Sequence, residues 1–226
     1  MWGRDNGKRY ASPETDIMKQ QNSKSAFYYT VRLATRIILT IFCSLKVKGA
    51  ENVLVKGAYI IVANHINWFD GFVLIALFKK KITFLAASYL FERPIVRRVF
   101  LSKLGCIPVG RAKTRKAIKE TLNILKGGGI IGIFPEGGVR LTKEMHEIKR
   151  GALFLAHTAN VPIIPVGIQG TNHVFSLSRK IPRPGRIIVN IGKPIYPEET
   201  DRGTTEIVVA KITELVRKNR IKRIVM

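Results

Sequence analysis

The sequence predicts an α/β fold with a single, largely buried mixed sheet flanked by helices. Short continuous runs of β-branched and other apolar residues recur along the chain, and helical patterns lie between them. Runs without polar alternation are typical of strands buried on both faces. Alternating strands and helices are typical of α/β domains. The predicted strands are 58–64, 82–87, 130–134, 162–168 and 186–192.

Besides a helix near residues 68–78, four helices are predicted after residue 47. Gly127, Gly128 and Gly129 end one of them, as glycine commonly does. The last begins at a Thr204 or Thr205 cap and ends in a basic cluster. The predicted helices are 94–104, 113–126, 149–159 and the segment from Thr204 onward.

The N-terminal part of the chain has a different character. Residues 26–46 are aromatic and apolar and have the length of a membrane span, which needs about 20 residues. Arg32 and Arg36 interrupt this segment four residues apart, and arginine is costly at a bilayer centre. We therefore favour an interfacial helix over a spanning helix or an ordinary core helix. The predicted division is a membrane-interface segment over 1–46 and an α/β domain over 47–226.

The charge balance is strongly basic. Lys and Arg number 39 against 15 Asp and Glu, a formal net charge of +24 with a pI near 10.5. Such a field attracts polyanions: nucleic acid, an anionic membrane surface, or an acidic or phosphorylated substrate. The two cysteines, Cys43 and Cys106, form no metal-binding motif, and a disulfide is not expected.

The stretch VANHINWFDG contains the first candidate site residues. His65 follows a predicted buried strand, and Asp70 lies near the start of the next helix. Ligands of α/β folds bind outside the carboxyl ends of strands. An Asp there can accept the Nδ1 proton of His65, which leaves Nε2 free to take a proton. A histidine satisfied structurally in a turn is the alternative.

Three further stretches end or flank predicted strands. FPEGGVR places Glu136 beside glycines, which let backbone N–H groups approach an anion. GCIPVGR places Arg111 after a short apolar run, and VPIIPVG puts two prolines around a strand. No G-x-S-x-G motif occurs, so a serine nucleophile of that type is not indicated.

Together the four stretches resemble the four motifs of the 1-acylglycerol-3-phosphate acyltransferase family of glycerolipid acyltransferases. NHINWFD is similar to the family's NHxSxxD block, with Asn67 where serine is commonest. GCIPVGR resembles GxxxxxR, FPEGGVR resembles FPEGTRS, and VPIIPVG resembles the closing proline block. The spacing from Phe134 to the KRG triplet at 149–151 also matches. The resemblance covers roughly residues 50–195.

The resemblance implies the glycerolipid acyltransferase fold and direct acyl transfer. His65 would be the general base on the free hydroxyl of a lysophospholipid, most simply 1-acylglycerol-3-phosphate, with Asp70 orienting it. The hydroxyl would attack the thioester of acyl-CoA or acyl carrier protein and give phosphatidic acid. The residues implied to bind the acceptor and its phosphate are Arg111, Glu136, Gly137, Gly138, Arg140 and Lys149.

One departure from the family pattern concerns the phosphate. The family's threonine falls on Gly138 and its arginine on Val139, whereas Arg140 lies one position later. Three interpretations stay open. The loop shifts so that Arg140 contacts phosphate, binding depends on Arg111 and Lys149, or the acceptor carries a different headgroup.

The expected partners are anionic membrane lipids, the lysophospholipid and the acyl donor, at the cytoplasmic face of a membrane. A peripheral or monotopic attachment is expected, with no cofactor or metal. Nucleic acid is not expected, because the basic runs lack interleaved aromatic residues. The competing functions are a non-enzymatic basic protein that binds membranes or nucleic acid, and a thioester hydrolase.

Overall fold

The computed structural model describes residues 13–54, 56–92, 101–110, 114–136, 151–176, 182–198 and 202–218. Within these ranges the strands form one seven-stranded sheet. The strands are β1 Cys43–Lys48, β2 Tyr59–Ala63, β3 Ile82–Ala87, β4 Ile107–Val109, β5 Ile130–Ile133, β6 Ile163–Gln169 and β7 Gly185–Ile191. Their spatial order is β1-β7-β6-β2-β5-β3-β4.

The sheet is mixed, and the predicted fold class is confirmed. All neighbouring strands pair in parallel except β6 and β7, which pair antiparallel. Strand β2 lies centrally between β5 and β6, with Ile61 opposite Gly132 on one side and Ile164 on the other. The carboxyl end of β2, which leads to His65, is therefore flanked by the carboxyl ends of two parallel neighbours.

Helices cover both faces of the sheet. Ile61 and Ala63 of β2 belong to the core cluster that includes residues of α1 and α2. Ile60 and Val62 belong to the cluster formed with α4, α5 and α7. Alternate β2 residues point to opposite faces, so both faces are buried, as the continuous apolar run predicts. The helices are α1 Pro13–Phe42, α2 Asp70–Leu77, α3 Ser102–Leu104, α4 Thr114–Lys126, α5 Gly151–Ala159, α6 Thr171–Val174 and α7 Arg202–Arg217.

The predicted elements correspond closely to these. All five predicted strands are present, with ends shifted by at most one residue. The helices predicted near 113–126, 149–159 and 204 onward are α4, α5 and α7. Of the helix predicted over 94–104, the described part contains only the single turn α3. Helix α6 and strand β1 were not predicted as elements, whereas β4 corresponds to the short apolar run between Cys106 and Arg111.

The N-terminal segment differs from its prediction at both ends. Its helix begins at Pro13, and it ends at Phe42 instead of residue 46. Residues 43–46 belong to β1, whose burial alternates and which pairs in parallel with β7 at the sheet edge. The alternation in CSLKVK indicates a strand. The apolar stretch of α1 continues into these residues without a break, so the sequence shows no boundary between helix and strand.

Helix α1 has two apolar sides. Tyr28 and Leu39 are buried in the core, and Phe27 and Phe42 pack against it. On the opposite side, every fourth residue is apolar and 48–67% exposed, a set we call the outer stripe: Tyr29, Leu33, Ile37 and Ile41. The sequence-based prediction treated the apolar residues of this segment as a single face.

Candidate active site

The turn between β2 and α2 is closed by its own aspartate. Asp70 is fully buried, and its Oδ2 accepts hydrogen bonds from the backbone N–H groups of Ile66 and Asn67, each at 2.8 Å. The N–H groups precede Asp70 by four and three residues, so one side chain can bond to both without leaving the turn. This local closure brings His65 back toward Asp70.

His65 and Asp70 form a hydrogen-bonded pair. Nδ1 of His65 lies 3.1 Å from Oδ2 of Asp70. An ionised carboxylate can only accept, so Nδ1 carries the hydrogen and Nε2 keeps a lone pair. The His65 side chain is 16% exposed, whereas Asp70 is 0% exposed. The arrangement can therefore take a proton from a group that reaches His65 from outside.

The imidazole lies on an aromatic floor. The rings of His65 and Phe134 stack with centroids 4.1 Å apart and an interplanar angle of 19°. Phe134 is in turn stacked with Phe84 at 5.8 Å. Gly132 makes room for this arrangement, because a Cβ there would lie 2.5 Å from the Phe84 ring. The plane of the imidazole is thus fixed by packing as well as by Asp70.

Glu136 contacts the same residue from another strand end. Its Oε1 accepts a hydrogen bond from the backbone N–H of His65 at 3.2 Å. Glu136 follows β5, which is paired with β2, so adjacent strand ends bring the two residues together. The sequence placed Glu136 at the acceptor-binding site; the structure also gives it a role in holding His65.

Two asparagines fix the turn to β6 and to the segment that follows it. The side chain of Asn64 accepts from the N–H of Ile168 at 2.7 Å and donates to its carbonyl at 2.9 Å. Asn67 accepts from the N–H of Phe69 at 2.9 Å and donates to the carbonyl of Phe175 at 2.7 Å. Asn67, the departure from the family's serine, is therefore buried and hydrogen-bonded at both ends of its amide.

Thr171 is a site residue that the sequence did not indicate. Its Oγ1 donates to Oδ1 of Asp70 at 2.6 Å, and Thr171 is fully buried. The two residues are separated by 101 positions. No local pattern signals such a contact; only the adjacency of β2 and β6 brings it about.

Five of the predicted site residues lie outside the described residues. They are Arg111, Gly137, Gly138, Arg140 and Lys149. His65, Asp70 and Glu136 are described, and the structure brings these three together. Within the ranges described, no group of three or more His, Cys, Asp or Glu side chains is placed to hold a metal ion.

An aromatic cluster at the turn has one exposed member. Trp68 is 47% exposed, and its ring contacts Phe69, Phe72 and Phe175 edge-on at 5.4–6.4 Å. Trp68 lies two residues before the start of α2, which packs against α1, so the cluster and the outer stripe belong to the same layer. None of the helices in the described ranges combines the length and the apolar composition that crossing a membrane requires.

This chain is similar in sequence and in fold to known acyltransferases. A 1-acyl-sn-glycerol-3-phosphate acyltransferase of Bacillus subtilis is 29% identical over 84% of this chain and 93% of its own length. One of Saccharomyces cerevisiae is 33% identical over 76% of this chain, which spans only 56% of the yeast protein. The crystal structure of a 1-acyl-sn-glycerophosphate acyltransferase from Thermotoga maritima shares the fold, with a TM-score of 0.72 and 22% identity over 88% of this chain and 82% of that one.

The family model described as Acyltransferase matches residues 44–169, from β1 to the end of β6. This range includes the His65–Asp70 turn, Glu136 and the proline-flanked strand β6. Because the match covers more than half of the chain, this protein belongs to the Acyltransferase family.

Proposed function

We propose that this acyltransferase transfers a fatty acyl group from an acyl thioester, acyl-CoA or acyl carrier protein, to the free hydroxyl of a lysophospholipid. The acceptor we favour is 1-acylglycerol-3-phosphate, with phosphatidic acid as product, because the relatives above carry that name. The observation that carries the proposal is the 3.1 Å contact between a partly exposed His65 and a buried Asp70.

His65 serves as the general base in this mechanism. Nε2 takes the proton from the acceptor hydroxyl while the oxygen attacks the thioester carbonyl carbon. The tetrahedral intermediate collapses, the carbon–sulfur bond breaks, and the imidazolium returns its proton to the leaving thiolate. Asp70 stabilises the imidazolium and holds Nδ1 in place. A positioned base contributes a factor of about 10² to 10⁴.

Direct transfer needs no protein nucleophile, and the cysteines fit that requirement. Burial raises the pKa of the Cys106 thiol to about 12, and burial also raises the pKa of Cys43. A thiol becomes a good nucleophile when its pKa is lowered. Neither cysteine therefore suits the formation of an acyl-enzyme.

The acceptor phosphate is assigned to the basic residues that the family motifs single out. Arg111, Arg140 and Lys149 remain the candidates, with Gly137 and Gly138 supplying backbone N–H groups. Arginine binds phosphate through paired N–H donors, and lysine acts as a point charge. Because Val139 replaces the family's arginine, an acceptor with another headgroup is the second candidate function.

We further propose that the layer of α1 and α2 rests on an anionic membrane surface. The outer stripe of α1 and the half-exposed Trp68 supply apolar contacts on this layer. Arg32 and Arg36 border the stripe, and each basic residue near an anionic surface contributes about 1 kcal/mol of binding. The formal charge of +24 acts in the same direction.

The decisive experiment is the substitution His65→Ala, assayed with a panel of lysolipids and both donor types, with products resolved by mass. We expect loss of acyl transfer by at least about 10²-fold with membrane binding retained. His157→Ala is the matched control, because His157 is an exposed histidine on α5. Acyl transfer by His65→Ala at the parental rate would refute the general-base role. If the parental protein releases free fatty acid from the acyl thioester without an acceptor, the activity is that of a thioesterase instead.

A further inference from the structure

We infer that Thr171 is a positioning residue of the acyl-transfer reaction. Its hydroxyl holds Oδ1 of Asp70, so that Oδ2 stays directed at Nδ1 of His65. The inference rests on the proposed roles of His65 and Asp70. It adds a residue that lies outside the four sequence motifs.

The contacts of Asp70 divide between its two oxygens. Oδ2 is contacted by His65 Nδ1 and accepts from two backbone N–H groups. At Oδ1, Thr171 is the only donor that the described residues provide. The contact of 2.6 Å is short, as expected for a hydroxyl bonded to a carboxylate. Among the described residues, Thr171 alone therefore fixes the position of Oδ1.

This division matters because a carboxyl group rotates easily about its terminal torsion, which has broad minima. With Thr171 in place, both oxygens are held and the plane of the carboxyl group is defined. Without the hydroxyl, Oδ1 is buried and lacks its donor, so it competes for the N–H groups that now bind Oδ2. The contact between Asp70 and His65 then loses its fixed direction.

The structure holds Thr171 rigidly enough to serve this role. Gly170, which precedes it, has a φ of 90°, a conformation that glycine adopts readily, and this turn starts α6. The amide of Asn64 clamps Ile168 at the end of β6. On the far side, the rings of Phe175 and Phe69 stack at 3.7 Å. The segment that carries Thr171 is thus attached to the His65–Asp70 turn both before and after Thr171.

The test compares Thr171→Val, which removes the hydroxyl at similar volume, with Thr171→Ser, which retains it. We expect Thr171→Val to lower kcat by about 10- to 100-fold, the range seen when an outer-shell partner is lost, with KM for acceptor and donor unchanged. Thr171→Ser should restore most of kcat. The ¹⁵N resonances of the His65 ring, assigned with His65→Ala, should shift in Thr171→Val but not in Thr171→Ser.

Thr121→Val is the matched control. Thr121 is as fully buried as Thr171, yet its Oγ1 has no hydrogen-bond partner among the described residues. The same atom is removed there, and we expect kcat and the His65 resonances to stay unchanged. If Thr171→Val does not fold, Thr171→Ala and Thr171→Ser make the comparison, because they differ by a single oxygen.

The outcomes separate this inference from the proposal on which it rests. If His65→Ala is inactive and Thr171→Val keeps the parental kcat, the positioning role of Thr171 is refuted while the general base stands. Equal losses in Thr171→Val and Thr171→Ser, with unshifted His65 resonances, would also refute it, because the hydroxyl would then be irrelevant. Full activity in His65→Ala refutes the general-base role of His65, and with it the positioning role of Thr171.

Discussion

The hydroxyl oxygen of Tyr28 accepts a hydrogen bond from the backbone N–H of Ile82 at 2.9 Å. Tyr28 lies on α1 and is fully buried, and Ile82 is the first residue of β3. Nζ of Lys81 lies 5.7 Å from the centre of the Tyr28 ring. The N-terminal helix is therefore attached to the sheet by a specific polar contact inside the core.

Tyr28→Phe should lower the free energy of unfolding by about 1–3 kcal/mol, because the N–H of Ile82 loses its acceptor in a buried place. Chemical denaturation measures the change. Tyr59→Phe is the control: Tyr59 is 1% exposed, and its hydroxyl makes no hydrogen bond to the described residues. Equal effects of the two substitutions would contradict the assignment.

Alkaline pH should destabilise the protein through the same tyrosine. Burial raises the pKa of Tyr28 and of Tyr59 to about 12. Tyrosine in an unfolded chain titrates near pH 10, so the folded state favours the neutral phenols. Their contribution is fully present below about pH 10 and is lost as the pH rises toward about 12. Denaturation curves should show a shallower loss over this range for the Tyr28→Phe, Tyr59→Phe double variant than for the parent.

The two thiols should resist alkylation in the folded protein. With a pKa of about 12 for Cys106, the thiolate fraction near pH 8 is on the order of one in ten thousand. We expect less than one labelled thiol per chain under native conditions and two in guanidinium chloride, counted by intact mass. Rapid labelling of the native protein would contradict the burial of these side chains.

Gly132→Ala should damage the floor under the imidazole. The added methyl would meet the Phe84 ring at 2.5 Å and Ile82 at 2.9 Å, and overpacking of this kind costs about 1–3 kcal/mol of stability. Because Phe84 stacks on Phe134, kcat should fall as well. Gly127→Ala is the control, since a Cβ there meets nothing closer than 3.5 Å. Parental stability and kcat in Gly132→Ala would contradict this prediction, because the rings of Phe84 and Phe134 would then accommodate the methyl group.

Substitution of the outer stripe should weaken membrane binding. We expect Ile37→Glu, Ile41→Glu to reduce sedimentation with anionic vesicles, because two charges enter an exposed apolar surface. Turnover of a dispersed short-chain acceptor should be retained, because neither side chain is near His65 in the contacts described. Ile207→Glu is the control; Ile207 is 59% exposed on α7, across the sheet. Equal losses per added charge in the two proteins would assign the effect to net charge alone.

The sequence identified the sheet well because buried parallel strands are continuous apolar runs, as in β2 and β6. It also identified the His65–Asp70 pair, which is a local feature closed within one turn. Strand β1 was missed because apolar residues of α1 run directly into it. Helix α6 was missed because a helix of four residues has no measurable period.

Long-range contacts at the site were not accessible from the sequence. The bonds from Asn64 to Ile168 and from Thr171 to Asp70 each span more than 100 positions. The groups that they join are three polar side chains and the backbone of Ile168, and nothing nearby in the chain distinguishes these residues. Such contacts follow from the strand order, in which β2 and β6 are neighbours although seven of the described helices and strands lie between them along the chain.

The way Tyr28 is seated also affects how the N-terminal segment can be studied. Removing residues 1–46 would strip Tyr28 and Leu39 from the interior and take away most of the edge strand β1. We expect the truncated protein to fail to fold for reasons unrelated to lipid. Its inactivity would therefore not test membrane attachment. Lipid attachment should therefore be tested by substituting exposed residues of α1, with the buried side of the helix left unchanged.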